Sequence, residues 1–237
     1  MSRLESVTVC ESAAEVATLA ADRIEAAARG ATRFHLMLAG GTTPRKAYEI
    51  LAARALAWRG VELYFGDERC VPPDHEDSNY RMAREALLEP VLRAHGVDLA
   101  PRVHRMRAEE PDADGAAAAY AMELPEKIDL LLLGMGQDGH NASLFPGSPA
   151  VSEQQRLVVP VVGPKPPPRR LTITPPVFAR ARAILVLVTG EDKAVMLRAA
   201  LAAPPAGDGA AHAADRPVVA LAKGAHFLVD RAAARLL

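Results

Sequence analysis

Short apolar runs alternate along the chain with longer, alanine-rich stretches of helical periodicity. The first such pair is an apolar run at residues 7–9 followed by a helical stretch at 12–29. Further strands, with helices between most of them, are predicted at residues 33–39, 61–66, 103–106, 128–133, 157–162, 171–174, 183–188 and 226–229. Residues 130–133 are four leucines, and a strand covered by helices on both faces requires such continuous apolarity. The pattern predicts an α/β fold, a three-layer sandwich around a mostly parallel central sheet.

Two segments rich in proline and glycine interrupt this pattern. Residues 163–168 contain four prolines, which cannot continue a helix or a central strand, so an extended loop between two strands is predicted there. Residues 203–215 are rich in alanine, proline and glycine and predict a surface loop. The roughly 20 residues after it are too few for an independent core. We therefore expect residues 1–237 to form a single domain.

The charge balance excludes several classes of partner. Lys and Arg total 28 against 29 Asp and Glu, so the net charge of -1 gives no electrostatic reason to expect binding to nucleic acid or to an acidic membrane. Any anionic ligand must be bound by local basic residues. No apolar run approaches the roughly 20 residues that span a bilayer, and residues 1–6 lack a signal-peptide pattern. Cys10 and Cys70 give neither a disulfide framework nor a zinc spacing, and the seven histidines show no metal-ligand spacing. We expect a cytoplasmic protein without a metal.

The first candidate site is the turn that follows the apolar run at residues 33–39. Gly40 and Gly41 allow the backbone to approach an anion closely, and Thr42 and Thr43 add two hydroxyl groups. Thr43 is predicted to cap the next helix, whose free amides then point at negative charge. The segment therefore predicts a phosphate-binding loop, although an ordinary strand-turn-helix joint would have the same residues.

The second candidate site follows the predicted strand at residues 61–66. Asp67, Glu68 and Arg69 stand where open α/β sheets bind their ligands, at the carboxyl end of a strand. An acid beside an arginine can orient a substrate and stabilise developing negative charge. Ser78 is the predicted cap of the following helix. A solvated, salt-bridged turn is the alternative interpretation.

The third candidate site, residues 134–147, follows the most apolar strand of the chain. His140 can accept a proton from water near neutral pH, and Asp138 can orient its ring. A structural or merely exposed histidine is the alternative. The glycines also spell G-x-G-x-x-G, but Pro146 and Gly147 would interrupt the long helix that a dinucleotide fold needs. We therefore expect no nicotinamide and no other cofactor.

Two further basic residues are candidates for a phosphate site. Arg170 follows the proline-rich loop, and Lys193 follows the predicted strand at residues 183–188. Arginine binds phosphate through a planar fork and lysine as a point charge. Ordinary surface charge is the alternative for either residue alone.

In order and spacing, five segments resemble the 6-phosphogluconolactonase family across nearly the whole chain: residues 38–44, 67–79, 134–147, 170–172 and 189–194. The run G-M-G-x-D-G-H followed by A-S-L-F-P-G is highly specific, whereas G-G-T-T-P is shared with related sugar-phosphate isomerases and deaminases. The resemblance implies a Rossmann-like fold without a bound nucleotide. It also implies hydrolysis of 6-phosphogluconolactone in the oxidative pentose phosphate pathway. Asn141 departs from the family's pattern, which has threonine there.

The resemblance implies two groups of site residues. The catalytic group consists of the general base His140 with Asp138, Arg69 and Asp67. The substrate-binding group consists of Gly40, Gly41, Thr42, Thr43, Arg170 and Lys193. The expected partner is a small sugar-phosphate lactone, and the expected state is a monomer or weak homodimer.

Two other functions remain open at this point. Enzymes that deaminate and isomerise glucosamine 6-phosphate resemble this chain, but they have an acid before the proline where this chain has Phe145. Related folds also serve as sugar-phosphate sensors in transcription regulators, which need a DNA-binding segment. This chain begins almost directly with its first predicted strand and shows no basic helix pair, so we expect an enzyme.

Overall fold

The computed structural model of the protein describes residues 6–202 and 224–237. The strands in this part of the chain are β1 Ser6–Cys10, β2 Phe34–Leu38, β3 Val61–Phe65, β4 Asp67–Arg69, β5 Leu130–Gly134, β6 Val158–Val162, β7 Arg169–Ile173, β8 Ile184–Val188 and β9 His226–Asp230. The helices are α1 Ala13–Ala28, α2 Thr42–Ala52, α3 Asn79–Ala83, α4 Glu89–His95, α5 Ala113–Glu123, α6 Pro175–Phe178, α7 Ala194–Ala202 and α8 Arg231–Ala234. A π-helical turn, Arg84–Leu88, joins α3 to α4.

The central sheet has six strands in the order β1-β9-β8-β5-β2-β3, and every neighbouring pair is parallel. The position of β5 between two apolar clusters explains why the strand is continuously apolar. Leu131 and Leu133 belong to the apolar cluster on one face, while Leu130 and Leu132 belong to the cluster on the other face. Since both faces of the strand are buried, a polar side chain at any of the four leucine positions would lose its hydrogen bonds to water. The prediction of a mostly parallel three-layer α/β fold is confirmed.

Helix α1 shows how the alanine-rich stretches fold. Its first turn is capped by Ser12, whose Oγ accepts the backbone N–H of Glu15 at 3.3 Å. Val16, Ala20 and Ile24 recur every four residues and form the buried face of the helix. Small alanines on that face let α1 pack closely against the sheet and against α2.

A second sheet of three antiparallel strands, in the order β4-β7-β6, was not foreseen from the sequence. Gly66 lies between β3 and β4, and its carbonyl accepts the backbone N–H of Ile173 at 2.9 Å, next to the pairing of β4 with β7. Antiparallel pairing then places Arg69 opposite Arg170. Two basic residues that are far apart in sequence are thereby brought side by side.

Three sequence predictions have different outcomes. The strand predicted at residues 103–106 is wrong: only a single bridge joins Val103 to Leu63, because the chain then leaves the edge of β3 and His104 is held by Glu62 and Glu123. The proline-rich loop is confirmed, since it connects β6 to β7. The loop predicted at residues 203–215 lies outside the described residues. Among the described residues, no helix combines the length and the hydropathy required to cross a membrane.

Candidate active site

A cavity of about 190 Å³ lies at the carboxyl ends of β2, β3 and β5. Six of the ten residues singled out from the sequence line it: Gly40, Gly41, Asp67, Arg69, His140 and Arg170. The other four are not among its lining residues: Thr42, Thr43, Asp138 and Lys193. The turn at residues 40–41 and the loop that contains residue 140 thus open onto one space, although about a hundred positions separate them.

His140 is held by Asp138 at the edge of this cavity. The Oδ1 atom of Asp138 lies 2.5 Å from the His140 ring nitrogen Nδ1, and it also accepts a hydrogen bond from the His140 backbone N–H at 3.2 Å. Burial alone would raise the pKa of Asp138, but the hydrogen bonds and charge of His140 lower it below its ordinary value. An ionised carboxylate only accepts hydrogen bonds, so Nδ1 bears the ring proton. The other nitrogen, Nε2, has no partner within the described part of the chain and is left as a proton acceptor.

Gly136 provides the space for this pair. A Cβ atom at position 136 would lie 2.1 Å from both Cε1 and Nδ1 of His140, and 2.7 Å from Oδ1 of Asp138. Distances this short are forbidden for carbon, so only glycine allows the imidazole and the carboxylate to meet here. The backbone N–H of Gly136 also donates to the carbonyl of His140 at 2.8 Å, which closes the loop on itself.

The predicted phosphate loop begins α2, but the predicted cap is wrong. The N-cap residue is Gly41, whose φ of 108° is a conformation that favours glycine, and no side chain caps the helix. The Thr43 hydroxyl is 2.8 Å from the hydroxyl of Thr189, at the end of β8. The first-turn amides of α2 are therefore not used by a side-chain cap, which is the arrangement that binds anions at helix N-termini.

Asp67 is a buried junction between three segments of the site. Its Oδ1 accepts the side-chain amide of Asn79 at 3.0 Å, and its Oδ2 accepts the hydroxyl of Ser143 at 2.5 Å. The backbone N–H of Ser143 donates in turn to the hydroxyl of Thr172 at 3.1 Å. Asn79 also explains Gly40, because a Cβ there would lie 2.2 Å from the Asn79 side-chain oxygen. Both carboxylate oxygens of Asp67 are engaged, so this residue fixes the site walls.

Two arginines face each other across β4 and β7. Arg170 is 7% exposed, and its guanidinium donates to the carbonyls of Pro167 at 3.0 Å and Lys165 at 3.3 Å. Burial lowers the pKa of Arg170, and the neighbouring charge of Arg69 lowers it further. Arg69 Nη1 donates to the carbonyl of Asp77 at 2.5 Å. Two guanidiniums held together repel each other, and an anionic ligand would relieve that repulsion.

Glu68 is 4% exposed and holds the start of α3 in place. Its two carboxylate oxygens accept the backbone N–H groups of Arg69, Asn79 and Tyr80, each at 2.8 Å. Burial raises the pKa of Glu68 above its ordinary value, and these hydrogen bonds limit the rise. Glu68 thus fixes the backbone positions of two residues, Arg69 and Asn79, that build the site.

Lys193 follows β8 in a short 3-10 helix and does not point freely at the cavity. Its Nζ is 3.0 Å from Oδ2 of Asp192, and the same oxygen accepts the side-chain amide of Gln137 at 2.8 Å. Asp192 therefore links the segment of Lys193 to the loop that contains His140.

Asn141 is 1% exposed, and neither its side-chain nitrogen nor its oxygen has a partner among the described residues. Each buried polar group without a partner costs about 1–3 kcal/mol. Threonine has a similar volume and one polar group instead of two. We therefore expect Asn141→Thr to raise the free energy of unfolding by about 1 kcal/mol and the thermal midpoint by about 2–4 °C.

Thermal unfolding followed by circular dichroism measures this effect. The matched control is Asn79→Thr, which removes an amide that donates to Asp67 and should lower the midpoint. An equal fall in both variants would contradict the role assigned to the unpartnered amide of Asn141.

Sequence reasoning missed the buried polar residues that connect these segments: Asn79, Ser143, Thr172 and Thr189. A signal for Thr172 was present, because residues two apart in a strand share a face and Arg170 was already a candidate. Ser143 and Asn79 bond across 76 and 12 positions to Asp67, and nothing local in the sequence reveals such partners.

The arrangement joins a proton acceptor, two guanidiniums and an uncapped helix N-terminus around one cavity. Such a site can bind an anionic substrate and activate a water molecule beside it. No group of three or more His, Cys, Asp or Glu residues within residues 6–202 and 224–237 is placed to hold a metal ion.

Comparisons with known proteins point to one family. The family described as glucosamine-6-phosphate isomerases/6-phosphogluconolactonase matches residues 8–227. A 6-phosphogluconolactonase of Mycobacterium tuberculosis is 39% identical over 227 residues, which cover 89% of this chain and 87% of that protein. One from Synechocystis sp. is 41% identical over 168 residues, 67% of each chain. The solved 6-phosphogluconolactonase of Trypanosoma brucei superposes with a TM-score of 0.83 at 28% identity and covers 100% of both chains.

Proposed function

The chain belongs to the glucosamine-6-phosphate isomerase/6-phosphogluconolactonase family, and from this we propose that it hydrolyses 6-phospho-D-glucono-1,5-lactone to 6-phospho-D-gluconate in the oxidative pentose phosphate pathway. The observation that supports the reaction is the shared cavity, in which His140 lies with the anion-binding turn and both arginines. A phosphorylated lactone needs both features at once, an anchor for its phosphate and a base beside its ester.

The substrate phosphate is assigned to the uncapped first turn of α2, with Gly40, Gly41, Thr42 and Thr43, and to Arg170 and Lys193. The glycines let the backbone approach the phosphate oxygens, and α2 adds the partial positive charge of its N-terminus. Lys193 would have to share its charge between the phosphate and Asp192. Binding the phosphate, which does not react, orients the lactone ring toward His140.

His140 acts as the general base in this proposal. Its Nε2 removes a proton from water as the water oxygen attacks the lactone carbonyl, and the resulting tetrahedral oxyanion is stabilised by Arg69 and loop amides. When the bond between the carbonyl carbon and the ring oxygen breaks, the imidazolium returns the proton to that oxygen. The product is the open-chain phosphogluconate. Asp138 holds the ring proton on Nδ1, so that Nε2 is the nitrogen presented to water, and Asp67 holds the walls of the site.

Hydrolysis is favoured over sugar isomerisation by the residue at position 145. Isomerisation moves protons between carbon and oxygen atoms of the sugar and needs several proton carriers, whereas lactone hydrolysis needs one base and an oxyanion stabiliser. Phe145 offers no titratable group beside His140, with the two ring centroids 4.9 Å apart. His140 is therefore the general base that lactone hydrolysis requires, and position 145 adds no second proton carrier for isomerisation.

The deciding experiment follows acid release from freshly prepared 6-phosphogluconolactone, corrected for spontaneous opening of the lactone. We expect the protein to accelerate release strongly, and to use the unphosphorylated lactone with a lower kcat/KM because the phosphate contacts are lost. Binding without acceleration would indicate a sensor, and release of ammonia from glucosamine 6-phosphate would indicate a deaminase; either result would overturn the proposal.

Replacing Asp138 by asparagine should lower kcat about tenfold, because a charge-assisted hydrogen bond contributes about 1.5 kcal/mol and 1.36 kcal/mol corresponds to tenfold in rate. The lowered pKa of Asp138 keeps its carboxylate charged beside His140. Asparagine can still accept the Nδ1 proton but carries no charge, so kcat should fall while KM, which the phosphate contacts set, stays within a few-fold. A kcat equal to that of the wild type would contradict this role.

Three further predictions accompany the proposal. Residues 1–237 act as one domain, the enzyme works in the cytoplasm, and it is a monomer or weak homodimer. Every proposed site residue comes from one chain, so the reaction needs no second copy. Sedimentation at micromolar concentration tests the last prediction.

A further inference from the structure

Phe145 contacts two residues of the proposed site at the same time. The centroid of its ring is 4.9 Å from that of the His140 ring, with the ring planes inclined at 52°. The Arg170 guanidinium carbon lies 5.5 Å from the same centroid. The phenyl ring is 7% exposed, so these contacts are made inside the protein. A single apolar side chain thus separates the imidazole from the guanidinium and packs against both.

The backbone of Gly163 packs closely against the phenyl ring of Phe145. A Cβ at position 163 would lie 2.7 Å from Cε2 and Cζ of Phe145 and 3.4 Å from Nε of Arg170. Gly163 starts the proline-rich loop, and its backbone N–H donates to the carbonyl of Pro168 at 2.7 Å. That loop also supplies the carbonyls that hold the Arg170 guanidinium. The loop and the ring therefore form one packed unit.

We propose that Phe145 is a positioning residue that acts through His140 and Arg170, and that Gly163 is required because it leaves room for the phenyl ring. The proposal rests on the hydrolysis proposed above. A phenyl group neither accepts nor donates a proton, so its effect must be geometric. It limits rotation of the imidazole away from the cavity, complementing the hydrogen bond to Asp138, and it keeps water from that side of the ring.

The first test compares Phe145→Leu with Phe178→Leu. Phe178 is 6% exposed in α6 and belongs to an apolar cluster, so it matches Phe145 in burial, but within the described residues it has no ring contact with His140 or Arg170. Both variants should lose similar thermal stability. Because a displacement of about 1 Å in a catalytic group costs up to about 10²-fold, we expect kcat/KM to fall by about 10–100-fold in Phe145→Leu and to stay within about twofold of wild type in Phe178→Leu. Equal losses in both variants would overturn the proposal.

The second test is a double-mutant cycle with Gly163→Ala. Alone, the added methyl group displaces the phenyl ring, so kcat/KM should fall. In the Phe145→Leu background the clashing ring atoms are gone, so Gly163→Ala should lower kcat/KM no further. Additive losses would show that Gly163 acts on the loop independently of Phe145, and they would contradict the inference.

A spectroscopic measurement separates this inference from the proposed reaction. The Cε1–H resonance of His140, assigned by its loss in His140→Gln, reports the ring current of Phe145. This resonance should shift in Gly163→Ala. It should have the same position in Phe145→Leu and in the double variant that carries Phe145→Leu and Gly163→Ala. This measurement requires no turnover, so it tests the packing even if the lactone is not the substrate. An unchanged resonance in Gly163→Ala would overturn the proposal.

Discussion

Replacing His140 by alanine is expected to lower kcat for lactone hydrolysis by about 10²–10⁴-fold, the usual contribution of a positioned general base. Its Nε2 is the atom left free to accept a proton, since Nδ1 is engaged by Asp138. The residual rate should come from the arginines and the bound phosphate, which the substitution leaves in place. Acid release in weakly buffered solution measures the loss.

Binding of the product distinguishes a lost base from a damaged pocket. The groups assigned to the phosphate come from the turn at residues 40–43, Arg170 and Lys193, none of which bonds to the His140 ring. Titration calorimetry with 6-phosphogluconate should therefore give the same dissociation constant within a few-fold. The matched control is His95→Ala, which removes a histidine bonded to the carbonyl of Ala52, outside the cavity. Full activity in His140→Ala would remove this residue from the mechanism.

The central sheet could be predicted from the sequence because its signals are local. A run such as the leucines of β5 must be buried on both faces, and that alone indicates a parallel strand between helices. The second sheet could not be predicted, because β4 is only three residues long and polar. It exists through pairing with β7, about a hundred positions later, so its stability is a property of the tertiary structure.

The same distinction applies to the site. Residues whose type suggests chemistry, such as His140 and Arg170, could be selected as candidates from the sequence, and both line the same cavity. Their orientation depends on residues with no distinctive type, such as Ser143 and Phe145, whose partners lie across the fold. The cap assigned to Thr43 failed for a similar reason: its hydroxyl bonds to Thr189, which only the folded chain places beside it.

Gly136→Ala is expected to reduce activity almost as much as removal of His140, by at least about 10²-fold. The methyl group would lie 2.1 Å from two atoms of the imidazole, too close for any relaxation of the ring that keeps its bond to Asp138. The ring must turn or the loop must move, and either displaces Nε2 from the attacking water. The fold should survive, because Gln137 and Asp138 next to the substitution are exposed and strand β5 before it is unchanged. Kinetics and thermal unfolding of the same preparation measure the two effects.

Gly115→Ala is the matched control for this prediction. Its added Cβ would lie 2.4 Å from the carboxylate of Asp112, the N-cap residue of α5, which is a comparable clash with a side chain away from the cavity. The weakened helix cap costs about 1 kcal/mol, the higher helix propensity of alanine offsets much of that cost, and kcat should be unchanged. If Gly136→Ala retains wild-type activity, the imidazole tolerates displacement, and the geometry of the His140–Asp138 pair is not what limits catalysis. If Gly136→Ala loses activity while keeping its thermal midpoint, the absence of a side chain at residue 136 is required for catalysis, because it leaves room for the His140–Asp138 pair.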